Sequence, residues 1–88
     1  MLDDVKKIEG QIMEEINGSK EYLICSEKWS DEMPSVSKMY AEMSQTEMEH
    51  AKKLNNLLKS MISDKSTLEE KAVINFLLEV NNEQIISK

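Results

Sequence analysis

The chain has 88 residues, with 17 acidic against 11 basic side chains and a net charge of −6. That length suits one domain with a modest core, and no basic patch marks a nucleic-acid surface. Charged residues make up 32% and aromatics 5%, with two glycines and one proline, so turn chemistry for sheets is scarce and an all-α fold follows. The single cysteine, Cys25, excludes an internal disulfide or a cysteine-rich zinc site and suits a reducing cytosol, where it reads as a buried structural thiol. Met1-Leu2-Asp3-Asp4-Val5-Lys6-Lys7 lacks the apolar stretch of a secretory signal, and the apolar runs Tyr22–Cys25 and Phe76–Leu78 are far too short to cross a membrane. The expected location is cytoplasmic, without nucleic-acid or membrane partners.

The first helix is predicted from about Asp3 to Ser30, with Asp3 and Asp4 at its positive N-terminal end. Its 3-4 spaced seam reads Val5, Ile8, Ile12, Glu15, Ser19, Tyr22, Ser26, Trp29. Glu15 stands where an apolar residue is expected. A buried lone carboxylate is costly unless its charge is compensated, so Glu15 either meets a counter-charge or lies at the seam's edge in water. Asn17-Gly18-Ser19 is a turn signal that allows a break or kink. Gly18, one turn from Glu15, either makes room for a close neighbour or is a tolerated surface glycine.

Ser30-Asp31-Glu32-Met33-Pro34 is the clearest turn, and Pro34 fits the first turn of a second helix running to about Ile62. The seam of that helix reads Val36, Met39 or Tyr40, Met43, Glu47, His50, Leu54, Leu57, Met61, with two successive polar positions in its middle. Antiparallel pairing about Glu32 sets residue i of the first helix beside roughly 64 − i of the second, which brings Glu15 level with Glu47 and His50. Ser66-Thr67-Leu68-Glu69 reads as a capping box with Ser66 as N-cap, opening a third helix from about Thr67 to Ile86. Between Ala72 and Val80 that helix is apolar most of the way round, which calls for cover on more than one side and points to a partner subunit. Residues 1–88 read as one helical domain.

Glu47 and His50, three apart on a helix, share a face and can point a carboxylate and an imidazole at one metal ion. Glu47-Met48-Glu49-His50-Ala51-Lys52-Lys53-Leu54 resembles the second-helix motif of the ferritin-like superfamily, most closely that of rubrerythrins and short encapsulated ferritins. Glu15 and Tyr22 match, more loosely, the upstream Glu and the aromatic that follows it. The resemblance spans about Ile12 to Leu58. It implies Glu15, Glu47 and His50 as metal ligands, Glu47 bridging, with Glu14 and Glu21 as rival first-helix ligands. Tyr22 would relay an electron or hydrogen-bond a ligand, if it is not simply a core tyrosine.

The chain holds one such half-site, and a di-metal centre needs two. The resemblance implies a dimer of hairpins forming a ferritin-like four-helix bundle, with each chain giving half the ligands to two irons per dimer. Carboxylate-rich ligation suits iron, or manganese. The implied reaction is oxidation of Fe(II) by O₂ or peroxide. A longer natural chain with a fourth helix would instead complete the site in cis. The sequence lacks the Cys-x-x-Cys of a rubredoxin-like centre, and Gln84–Lys88 gives no recognisable encapsulin-targeting tail. The alternative is a metal-free helical protein–protein interaction module, with Glu15, Glu47 and His50 as a buried hydrogen-bonded cluster.

Overall fold

The computed structural model describes residues 1–86. Its elements are α1 (Leu2–Lys28), α2 (Pro34–Ser60) and α3 (Leu68–Ile86), and no strand occurs among the described residues. The molecule is a rod of 55 × 18 × 15 Å, built on the antiparallel hairpin of α1 and α2.

α1 runs unbroken through Asn17-Gly18-Ser19, so the turn signal there loses to helix packing. The two long helices stop about two residues short of their predicted ends. At both ends the chain tightens into bonds at three-residue spacing, Ser30 N–H to the Glu27 carbonyl and Ile62 N–H to the Lys59 carbonyl. Pro34 occupies the first turn of α2, as its missing N–H allows. The capping box lies one residue later than Ser66–Glu69. Thr67 N–H donates to Glu70 Oε1, and Glu70 N–H donates to Thr67 Oγ1. Ser66 instead accepts from Ser63 N–H and closes the preceding turn.

Two reciprocal serine pairs fix the hairpin's register. Ser19 Oγ donates to the Ser44 carbonyl at 2.8 Å and Ser44 Oγ to the Ser19 carbonyl at 2.7 Å. Ser26 and Ser37 repeat the exchange one heptad along, at 2.8 and 2.6 Å. In both pairs the residue numbers sum to 63, one less than the predicted register. The same register sets Ile12 beside Ala51 and Val5 beside Leu58, all buried. Small side chains at Ser19, Ser44 and Ala51 allow the two backbones to approach closely.

This seam departs from the predicted one on α2. Its buried positions are Ser44, Met48, Ala51, Asn55 and Leu58, one residue further round than the predicted Met43, Glu47, His50, Leu54, Leu57. One residue is 100° of helix, so Met39, Met43 and Leu57 emerge on an exposed flank instead. On α1 the predicted Val5, Ile12, Ser19 and Ser26 are buried together with Ile16, while Ile8, Glu15, Tyr22 and Trp29 are half-buried.

α3 lies against the opposite flank and runs antiparallel to α2. Ile74 and Ile85 enter the core. Asn81, fully buried, donates to Glu9 Oε1 at 2.7 Å and to Asn55 Oδ1 at 3.0 Å, tying α3 to both hairpin helices. Asn55 in turn donates to Asn82 Oδ1, and Lys20 to Gln84 Oε1. α3 thus covers one side of the hairpin and leaves the other bare. Phe76, on its own outer surface, is 63% exposed, in line with the expectation that this helix has more apolar surface than one side can bury. Ser87 and Lys88, the end of the tail considered for targeting, lie outside the described residues.

Candidate metal centre

The bare flank of the hairpin carries the polar cluster. Glu15 comes from the middle of α1, and Glu47 and His50 stand one turn apart on α2. Each offers one ligand atom, and these atoms lie within 4.8 Å of one another. The register brings them level, as the sequence predicts. The tilt of one residue in the α2 seam puts them at the edge of the interhelical groove rather than at its bottom. The Glu15 side chain is 27% exposed and that of His50 49%, so the cluster has a floor of protein and an open mouth.

Glu15 Oε2 is buried and accepts no hydrogen bond. Its nearest cationic candidate, His50 Nδ1, stands at 3.5 Å, beyond good hydrogen-bond length. Beside it, the Glu47 carboxyl is pushed above its usual titration range. The main cause is the Glu15 carboxyl, with which it can share a proton. Partial burial and the negative charge of Glu15 push the same way, and His50 opposes them. Two carboxylates held together with one unsatisfied oxygen are stabilised by a cation between them.

The glycine opposite completes the cradle. A Cβ placed on Gly18 would stand 3.3 Å from Glu47 Oε2. The donor set of two carboxylates and one imidazole suits iron or manganese and not the thiolate-seeking ions. Glu14 and Glu21, the rival first-helix ligands, are both exposed and lie outside the cluster. Tyr22 stacks on Tyr40, their ring centroids 6.1 Å apart and their planes at 28°. The sequence names Tyr22 but not this pairing, although the register places position 40 close to it. The Glu9–Asn81–Asn55 network also escapes the sequence, since nothing distinguishes these asparagines from surface ones.

A long antiparallel helical hairpin with Glu on one helix and Glu-x-x-His on the next places the chain in the ferritin-like class. The sequence model of the rubrerythrin family matches residues 8–86, which include all three residues of the cluster, and the chain belongs to that family. No curated relative and no solved structure matches it.

Proposed function

We propose that two copies of this chain pack through the bare flank of the hairpin and together hold two metal ions, iron or manganese. The observation that carries this reading is the Glu15–Glu47–His50 cluster, three ligand atoms within 4.8 Å on a face that its own chain leaves uncovered. Di-metal bundles take a Glu from each of two helices and Glu-x-x-His from each of two others. One copy of this chain supplies half of that set, and two copies related by a two-fold axis supply all of it.

The chain is a thin rod that exposes 6212 Å², and its bare flank has room for the ~800 Å² that each partner buries in an interface of standard size. Met39, Met43 and Leu57, exposed on the same flank as Glu47 and His50, supply the apolar part of that contact.

Iron bound there would supply one-electron chemistry, so the reaction class is oxidation of Fe(II), two electrons per site passing to O₂ or peroxide. Glu15, Glu47 and His50 hold and orient the metal. Tyr22, with its ring against Tyr40, is the residue proposed to relay an electron or hydrogen-bond a ligand. Among the described residues no helix is long and apolar enough to cross a membrane.

The test is anaerobic titration of Fe(II) into metal-stripped protein with bound iron counted. The expected plateau is about one iron per chain, two per dimer. A folded protein with no saturable binding would sink the di-metal reading. It would leave a metal-free interaction module docking through Met39, Met43 and Leu57.

A further inference from the structure

Gly18 lies in the middle of α1, where glycine weakens a helix relative to alanine. Its φ is not positive, so backbone conformation does not require a glycine there. The chain contains its own comparison in Gly10, also inside α1 and also without positive φ. A Cβ at Gly10 meets nothing within 4 Å. A Cβ at Gly18 meets Glu47 Oε2 at 3.3 Å, Cδ at 3.7 Å and Cγ at 3.8 Å. The atoms facing Gly18 are thus the carboxyl end of a side chain in the metal cluster.

From this we infer that Gly18 is a positioning residue of the metal centre: the missing side chain holds open the space that sets where the Glu47 carboxyl stands relative to Glu15 and His50. The inference rests on the metal-binding reading above and adds a residue that is itself no ligand. Magnitudes decide the consequence of filling that space. A contact of 3.3 Å obliges the neighbour to give by a few tenths of an ångström. What gives is the far end of a flexible side chain rather than backbone, so the fold survives. Metal–ligand distances, however, hold to about ±0.2 Å. A displacement that the hairpin absorbs without cost is one that the ligand geometry does not absorb.

The experiment compares the full-length wild type with Gly18→Ala and Gly10→Ala by thermal melting of metal-free protein, anaerobic Mn(II) titration, and crystal structures without metal. Both variants should melt at or above the wild-type temperature, since each gains a better helix former. Only Gly18→Ala should lose Mn(II) affinity, by about 10- to 100-fold, the range seen when residues supporting metal ligands are changed. Its crystal structure should show the Glu47 carboxyl moved off its wild-type position. Equal Mn(II) affinity in the two variants, or an unmoved Glu47 carboxyl in Gly18→Ala, would overturn the role of Gly18 while leaving the metal centre standing. A wild type that binds no Mn(II) or Fe(II) would overturn both.

Discussion

Glu15 and Glu47 oppose each other in the metal-free chain, since one carboxyl raises the proton affinity of the other and a buried oxygen is left without a donor. Removing one of them therefore relieves the apo protein while destroying the ligand set. Glu47→Ala should abolish saturable Fe(II) or Mn(II) binding and leave the melting temperature of metal-free protein unchanged or higher, measured on the same preparation. A variant that melts well below wild type would show that Glu47 has a structural partner beyond the cluster. A second carboxyl behaves differently. Glu9 is held above its usual range by burial, against the lowering effect of the Asn81 amide that donates to it. A group whose folded pKa is raised contributes stability below its unfolded pKa, and that contribution is lost as pH rises through the folded value. Glu9→Gln keeps an acceptor for Asn81 and has no charge to bury. Its stability should match wild type at about pH 4 and exceed it increasingly toward pH 7, as urea unfolding at each pH would report. The opposite slope would mean that Glu9 gains more from its ionised hydrogen bond than it loses by burial.

At the scale of elements, α3 is attached through the buried Ile74 and Ile85 with Val73, Leu77 and Leu78 packed beside them, through the hydrogen bonds of Asn81, Asn82 and Gln84, and through the box at its start. Thr67→Ala removes the side chain that receives the Glu70 N–H and should cost about 1 kcal/mol. The loss should show first as faster amide exchange in α3, with α1 and α2 less affected, because α3 packs on one flank of a hairpin that is locked by its own serine pairs. Uniform loss of protection across all three helices would mean that α3 and the hairpin unfold as one unit. The three helices and their order are legible in the sequence because Pro34 and the Ser/Thr-rich break before Leu68 punctuate long stretches of helix formers. The lateral register is legible too, since it needs only the position of the turn and equal rise per residue. The rotation of α2 is not. Its true seam runs through Ser37 and Ser44, polar residues satisfied by serines of α1, and Asn55, satisfied by asparagines of α3, while Met39, Met43 and Leu57 lie outside it. An apolar stripe in a sequence marks surface without saying what covers it. Glu15, Glu47 and His50 come together at the groove edge despite this difference, because that edge is still within one side chain's length of the groove.

The whole molecule is a thin rod with one flank covered by α3 and the other bare, and the bare flank holds both the cluster and the exposed Met39, Met43 and Leu57. On the reading proposed above, assembly and metal binding are one equilibrium. Ligands from both copies hold the ions, so metal should favour the dimer, and disrupting the dimer should weaken metal binding. Leu57→Asp tests this away from the ligands, because Leu57 is 49% exposed in the single chain and a charge there has little to disturb within it. A buried unpaired carboxylate in a dimer interface, by contrast, is strongly unfavourable. Sedimentation equilibrium should give the wild type a mass of twice 10.2 kDa in the presence of Mn(II). Leu57→Asp should stay folded by circular dichroism, sediment as a monomer, and bind Mn(II) at least tenfold more weakly, on the order of 1.4 kcal/mol. A wild type that remains monomeric with its metal bound would instead mean that Glu15, Glu47 and His50 suffice for a single ion. The ferritin-like bundle of two hairpins would then be the wrong architecture for this chain.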